Sequence, residues 1–434
     1  MNTDALSRRR RFLGVLVILS GFLVHLVDGT YYTFGNMSPY IVSYLRKYGH
    51  PSDITPQKLV WVYALLEIGL SVAVYVGGQI DKKLGPRLTV LLGGLLLGAG
   101  VALTYFTIVS YWLVMLTYGL LFGFGMGVTY SIPMACAMSW WPNREGLVTG
   151  FVVAGSGASA ILFDQVQTQY INPHKQNPSI PDPDNPDQKY FGDADLLHRV
   201  KTSFLVLGGT YFAMLVIGSI FLIKRKDVST NIQNEGEPLI QSESDGDGSL
   251  TPAQLLRDKR FYMLWTAFFC LGQAVTFISS LFKAYGLTFI NDDHFMALVG
   301  SISSPFNALG RIFWGFLSDK FSLRVVLLSM CAIFTALILS FNVSMLGGKP
   351  VFAIWVCLLF SCFGGIFCLF PALTARAFGQ THFSSNYGLL FSSQMFGACL
   401  SASLSLLNVT YNVLWFSSAG LTFLAVLLIY FLKI

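Results

Sequence analysis

Four of the titratable side chains inside long apolar stretches are candidates for function, because a charge in such a stretch is costly and usually serves a function. One of them, Arg311, lies eight residues before Asp319. This separation is about 12 Å along a helix, which puts Arg311 near the middle of a hydrocarbon core about 30 Å thick. A guanidinium stays charged and can hold a carboxylate through two hydrogen bonds. We therefore predict that Arg311 binds an anionic substrate, with a structural ion pair to an acid on another helix as the alternative.

The other three groups are Glu67, His25 and Asp28. Glu67 lies midway along an apolar run and is a candidate for coupling proton movement to anion movement. It is otherwise a counter-ion for Arg311 or a helix-packing residue. His25 and Asp28 are about one helical turn apart and share a face, so they form either a proton relay or a local structural pair.

The composition requires these groups to be positioned by membrane helices. The chain has 434 residues, of which 54% are hydrophobic and only 12% are charged, with a net charge of +6. Soluble domains carry about 25% charged residues. The basic residues stand in short segments between apolar runs, so the net charge does not indicate nucleic-acid binding.

The sequence contains twelve apolar runs of about 20 residues, each long enough to cross a bilayer. The sequence predicts an all-α membrane protein whose helices form two pseudo-symmetric six-helix bundles. We expect these bundles at 1–223 and 259–434, joined by a polar linker at 224–258.

The charge distribution predicts the orientation. Eighteen Lys and Arg residues lie in segments on one side, eight lie on the other, and Lys283 and Arg311 fall within spans, which accounts for all 28. Because basic loops stay inside, both termini are expected in the cytosol. The linker contains Glu235, Leu239 and Ile240 in the order of an acidic dileucine sorting signal, which clathrin adaptors read. The predicted location is the plasma membrane or an endosomal or lysosomal membrane.

A repeated loop motif supports the duplication. Gly77-Gly-Gln-Ile-Asp81-Lys-Lys-Leu-Gly-Pro-Arg87 follows the second span, and Gly315-Phe-Leu-Ser-Asp319-Lys320 follows the eighth. We predict that the carboxylates accept hydrogen bonds from a neighbouring helix N-terminus and that the bases pair across to the other half. Asp81, Arg87, Asp319 and Lys320 would then form a structural gating loop. The motif resembles the signature loop of the major facilitator superfamily.

A narrower resemblance covers most of the chain. Trp140-Trp-Pro-Asn-Arg144, Asn307-Ala-Leu-Gly-Arg311 and Phe363-Gly-Gly-Ile-Phe367 are similar to segments of the oxalate:formate antiporter family, a relative of the monocarboxylate transporters. The resemblance implies a small carboxylate substrate held between the halves. Arg311 matches the family's cation on helix eight, whereas Gln394 stands where the oxalate carrier has a second cation.

One cation suits a monoanion such as formate, lactate or pyruvate better than a dianion. Asn307 replaces the aspartate that monocarboxylate transporters place one turn before the arginine, so their proton coupling does not transfer directly. Four aromatic residues match pocket positions of the related carrier: Tyr31, Tyr130, Phe363 and Phe367.

Function classes other than transport are less favoured. The sequence has no paired-carboxylate site, metal-ligand cluster, nucleophile motif or ATP-binding loop, so we expect no enzyme activity, metal or cofactor. The predicted partners are a small carboxylate, protons, the lipid bilayer and clathrin adaptors. Two alternatives stay open, a carrier of dicarboxylates or other organic anions and a transporter fold that acts as a ligand sensor.

Overall fold

The computed structural model describes residues 3–181, 189–225, 249–290, 292–404 and 410–432. These residues form twelve helical spans, as predicted. Eight stretches of them are long and apolar enough to cross a membrane. One of these stretches, Lys58–Thr107, contains two spans, so the eight stretches account for nine spans. The other three are the eighth, ninth and eleventh spans.

Six spans form the first half. Span 1 is interrupted by a 3₁₀ turn, and span 4 is built from several short helical segments. The bounds are Thr3–Asp28, Gly29–Thr33 and Phe34–Tyr48 for span 1, Pro56–Thr107 for spans 2 and 3, Tyr111–Val114, Met115–Leu121, Phe122–Tyr130 and Ile132–Trp140 for span 4, Glu145–Ile171 for span 5 and Ala194–Ser219 for span 6.

The second half repeats the pattern after a short helix, Pro252–Leu255. The bounds are Lys259–Leu287 for span 7, Asp293–Lys320 for span 8, Leu323–Leu339 for span 9, Gly348–Phe378 for span 10, Phe383–Phe391 and Ser393–Leu404 for span 11 and Tyr411–Phe431 for span 12.

The turn between spans 2 and 3 occurs at Gly85, whose φ of 76° lies in the left-handed region. Glycine adopts this conformation without a steric penalty, and Pro86 then begins span 3 with a fixed φ. Arg11, this turn and the end of span 12 lie at the same end of the bundle, which we call the terminal face. The other end is the opposite face.

The two halves pack through close helix pairs. On span 5, a Cβ at Gly150 would lie 2.5 Å from the Arg311 carbonyl oxygen, and one at Gly157 would lie 2.8 Å from the Ala308 Cα atom of span 8. Span 2 approaches span 11 in the same way, because a Cβ at Gly78 would lie 2.6 Å from the Ser385 nitrogen. Small residues let helix backbones approach closely in membranes, so these contacts set the surface on which the two halves meet.

Short polar segments pack on both faces. At the opposite face, Ile180–Pro181 pairs with Lys189–Tyr190 as a small antiparallel hairpin, and Arg46 of span 1 donates to the Tyr190 hydroxyl at 3.2 Å. At the terminal face, the nitrogen of Leu250 donates to the Phe378 carbonyl at 2.9 Å. The predicted sorting signal lies outside the described residues.

Candidate functional site

Arg311 is the central feature of the interface between the halves. The side chain is fully buried. Its Nε donates to Asn307 Oδ1 at 2.9 Å, one terminal nitrogen donates to the Val153 carbonyl of span 5 at 2.9 Å, and the other approaches the Tyr32 hydroxyl at 3.4 Å. A guanidinium has five donor hydrogens. These three contacts therefore leave two donors for a ligand.

No carboxylate of the described residues forms an ion pair with Arg311 within 4.0 Å. The three recorded acceptors are an amide oxygen, a carbonyl and a phenol, and none of them carries a charge. A buried cation without a paired anion is strongly unfavourable. The site is therefore electrostatically incomplete, and a bound carboxylate would complete it.

Aromatic rings from both halves surround the guanidinium. The Phe367 ring centroid lies 5.9 Å from Arg311 Cζ. Phe363 contacts Phe367 at 5.4 Å between centroids and Tyr32 at 5.8 Å, and Tyr31 contacts Tyr32 at 3.9 Å. The structure thus brings three of the four predicted aromatic residues to this region and adds Tyr32, which the sequence analysis did not single out.

The fourth predicted aromatic residue, Tyr130, lies in the wall of the same interface. Its ring lies 5.1 Å from that of Phe391 on span 11 and 5.0 Å from the His25 ring. Tyr130 is buried. It contacts rings of both halves, and none of the hydrogen bonds that Arg311 makes to described residues goes to Tyr130.

Glu67 faces the region between the halves. It lies eleven residues before Gly78, which is about three helical turns, so both residues share the face of span 2 that packs on span 11. The Glu67 side chain is partly exposed, and Tyr63 neighbours its carboxyl one turn earlier. The Tyr63 ring stacks at 6.2 Å on Tyr31. Tyrosine rings therefore connect the Glu67 region with the Arg311 region.

Asn307 and Gln394 have different positions relative to the site. Asn307 is buried and orients the guanidinium through its Oδ1. Gln394 is also buried, but its amide nitrogen donates to the Phe268 carbonyl of span 7 at 3.0 Å and to Ser393 Oγ at 3.2 Å. Gln394 thus ties span 11 to span 7, and among the described residues it is not one of the hydrogen-bond partners of Arg311.

His25 and Asp28 do not pair directly, contrary to one of the two predicted arrangements. Both are fully buried, but each bonds a different helix. His25 Nδ1 lies 3.0 Å from Ser156 Oγ, and Asp28 Oδ1 accepts from Thr129 Oγ1 at 2.8 Å. The shared helix face is therefore correct, whereas the partners come from spans 5 and 4. His25 Nε2 and Asp28 Oδ2 have no hydrogen-bond partner among the described residues.

The terminal face is closed by polar contacts around Asp319. Its two carboxylate oxygens accept from the backbone nitrogens of Gly146 and Leu147, at 3.0 and 2.7 Å. These nitrogens lie in the first turn of span 5, where a negative charge is favoured. Arg376 of span 10 bonds Asp319 at 2.8 Å and Glu145 of span 5 at 3.0 Å. This cluster joins the halves about 12 Å from Arg311.

The predicted roles of the bases in the gating loops were wrong. Lys320 is exposed, and its ammonium lies 4.9 Å from the Phe316 ring of its own helix. Arg87 is also exposed, and Asp81 pairs at 2.6 Å with Lys224, the first residue of the linker. The base that reaches across the interface is instead Arg376 of span 10.

Comparison with known proteins agrees with this architecture. The profile of the Major Facilitator Superfamily matches residues 4–165 and 190–402. The Escherichia coli fucose:proton symporter has the same fold, with a TM-score of 0.64 at 17% identity, over 96% of this chain and 98% of that chain.

Curated relatives point in the same direction. Apicoplast pyruvate carrier 1 of Toxoplasma gondii is 28% identical, over 94% of this chain and 85% of its own length. The oxalate:formate antiporter of Oxalobacter formigenes is 24% identical, over 80% and 76%. These matches confirm the resemblance inferred from the sequence motifs. With its two halves of six spans meeting at a sealed terminal face, the chain belongs to the Major Facilitator Superfamily of membrane transporters.

Proposed function

We propose that the protein is a secondary transporter of a small monocarboxylate, and that Arg311 binds the carboxylate. The observation that carries this proposal is the fully buried guanidinium with no anionic partner among the described residues. Two donors of a rigid fork match the two oxygens of a carboxylate. Tyr32 is placed to donate a further hydrogen bond, since its hydroxyl already lies near the guanidinium.

The number of cations near the site supports a monoanion. Arg311 is buried among aromatic rings, and Gln394, at the position of the carrier family's second cation, is neutral and held by span 7. A dianion would bring a second charge into this apolar region without a partner. The relatives named for pyruvate and for formate agree with a substrate of one to three carbons. A dicarboxylate or another organic anion is the alternative.

We infer that transport proceeds by alternating access, with the halves 1–223 and 259–434 rocking about Arg311. Release of the substrate at the terminal face requires breaking two contacts between the halves. These are the contact of Asp319 with the first turn of span 5 and that of Glu145 with Arg376. Glu67 is the proposed proton-coupling group, because a carboxyl that is partly exposed inside the interface can take up and release a proton during this motion. His25 and Asp28 are secondary candidates. Exchange of one anion for another is the alternative to proton symport.

We also propose that the terminal face lies in the cytosol, as the Lys and Arg distribution favours. The choice between the plasma membrane and an endosomal or lysosomal membrane depends on the signal at Glu235, Leu239 and Ile240. Adaptor binding to this signal is supported by its sequence alone.

Purified protein in liposomes tests the proposed function. Radiolabelled pyruvate, lactate, formate and oxalate are offered with an inward proton gradient, and separately with preloaded unlabelled anion. Gradient-driven monocarboxylate uptake supports symport, and uptake only against preloaded anion supports exchange. Binding of these anions without flux would instead favour the sensor alternative. A lack of both binding and flux in folded protein would refute the substrate class.

A further inference from the structure

A second basic site lies at the terminal face, on the outside of the first half. A cavity of about 540 Å³ is lined by Arg11, Arg144, Arg225, Trp140, Trp141 and the two residues that follow Trp141. Among the residues that the structure describes, the lining contains three arginines and no acidic residue. Pockets of about 300–1,000 Å³ are typical of small-ligand sites. This cavity is separate from Arg311, and the transport cycle proposed above does not use it.

The cavity is built by contacts of residues 139–141 with span 1 and with the residues that follow span 6. Trp140 at the end of span 4 donates to the Ile223 carbonyl after span 6 at 2.7 Å. The backbone nitrogen of Arg225 donates to Ser139 Oγ at 3.1 Å. The Trp141 indole packs on span 1, where a Cβ at Gly14 would lie 3.0 Å from Nε1. Arg11 of span 1, Arg144 just before span 5 and Arg225 after span 6 therefore lie around a defined aromatic wall.

The neighbouring acid does not neutralise this site. Glu145 follows Arg144 directly, but its carboxylate is bonded to Arg376 at 3.0 Å and to Gln380, both in the second half. The charges of Arg11 and Arg144 are both exposed in the cavity region. Guanidiniums bind phosphate groups, as they do carboxylates, through pairs of hydrogen bonds.

The surroundings of the cavity favour an amphipathic ligand. Phe12 and Val15 of span 1 are 63% and 45% exposed, so lipid-facing surface begins one residue beyond Arg11. Tryptophan rings are favoured at the headgroup level of a bilayer, and basic pockets between helices suit phosphate-bearing headgroups. We propose that this cavity binds the headgroup of an anionic phospholipid, with the phosphate between Arg11 and Arg144 and the glycerol region against Trp140 and Trp141.

Native mass spectrometry of the full-length protein in detergent tests this proposal without any transport substrate. Phosphatidylglycerol, phosphatidylcholine and inorganic phosphate are titrated separately. The variants are the pocket pair Arg11→Gln with Arg144→Gln, the charge-conserving pair Arg11→Lys with Arg144→Lys, and a control pair, Arg257→Gln with Lys259→Gln. The control removes two exposed charges at the start of span 7 and just before it, outside the cavity.

We expect wild-type protein to retain phosphatidylglycerol in preference to phosphatidylcholine. One basic side chain near an anionic lipid is worth about a fivefold change in affinity, so the glutamine pair should weaken retention about 25-fold. The control pair should be unaffected, and the lysine pair should keep most of the binding. Binding of inorganic phosphate that the glutamine pair abolishes would assign the same anion site to a soluble ligand.

Two results would overturn the proposal. One is equal retention of the anionic lipid by the glutamine pair and the control pair, and the other is equal retention of both lipids by the wild-type protein. The melting temperature of each variant shows whether a loss of binding reflects unfolding. If the glutamine pair unfolds, the lysine pair and the single Arg11→Gln variant, which is expected to lose binding about fivefold, decide the outcome.

Discussion

Replacing Arg311 with glutamine should abolish substrate binding while leaving the protein folded. Two guanidinium donors are open to a carboxylate, and each charge-assisted hydrogen bond is worth about 1.5–3 kcal/mol. Loss of both costs about 3–6 kcal/mol, or roughly 10²- to 10⁴-fold in affinity. Lysine retains the charge but not the planar fork. Arg311→Lys should therefore lose less, about 10- to 100-fold.

Thermal stability separates binding from a structural role. Glutamine removes a buried charge that has no counter-ion among the described residues, so the melting temperature of Arg311→Gln without substrate should equal or exceed that of the wild type. Pyruvate should raise the wild-type melting temperature and leave that of Arg311→Gln unchanged. Arg257→Gln, an exposed arginine at the terminal face, is the control and should behave as wild type in both measurements.

Either of two results would contradict the role assigned to Arg311. If Arg311→Gln transports pyruvate with wild-type KM, or unfolds because the arginine was needed for an ion pair, then the cation is structural. Proteoliposome uptake over a range of pyruvate concentrations, with protein orientation checked by protease accessibility, gives KM and maximal rate for each variant.

Three further predictions concern the gate, the proton and helix packing. Cys368 of span 10 is buried, and its thiol lies 3.4 Å from the Gly146 carbonyl beside the Asp319 contact. In a variant with Cys368 as its only cysteine, Arg376→Gln should raise labelling of this thiol by maleimide added at the terminal face at least several-fold, whereas Lys320→Gln should not change it. Equal labelling in both would contradict the assigned gate. Glu67→Gln should abolish gradient-driven uptake but retain anion exchange, and persistence of gradient-driven uptake would remove Glu67 from coupling. Gly150→Val should overpack the contact with span 8 by about 1–3 kcal/mol and also raise Cys368 labelling. Unchanged labelling would show that this contact does not hold the face closed.

The sequence predicted those features of the site that depend on the position of a residue along a single helix. Arg311 could be placed near the membrane centre because it lies a known distance before Asp319 within one helix. The predicted contact of Asp319 with a helix N-terminus is present, since it accepts from the first turn of span 5. These features depend on periodicity and short spacing, which a sequence records directly.

Other parts of the site depend on contacts between distant segments. Arg376, which bridges Asp319 and Glu145, is one base among 28 Lys and Arg residues, and nothing local marks it as the partner. Tyr32 is likewise one of 19 tyrosines, and nothing in its local sequence marks it as a neighbour of Arg311. His25 and Asp28 share a helix face, but their bonding partners were decided by spans 4 and 5. Periodicity predicts the helix face on which a residue lies, whereas its hydrogen-bond partner depends on how the other helices pack against that face.

Counterflow in liposomes tests the central claim most directly. Wild-type protein is reconstituted in vesicles loaded with unlabelled pyruvate, and trace labelled pyruvate is added outside at equal pH on both sides. We predict transient accumulation of label, competed by lactate or formate more strongly than by oxalate, and absent in Arg311→Gln. Accumulation that persists in Arg311→Gln, or a complete lack of it with folded wild-type protein, would contradict the proposal that Arg311 binds a monocarboxylate during transport.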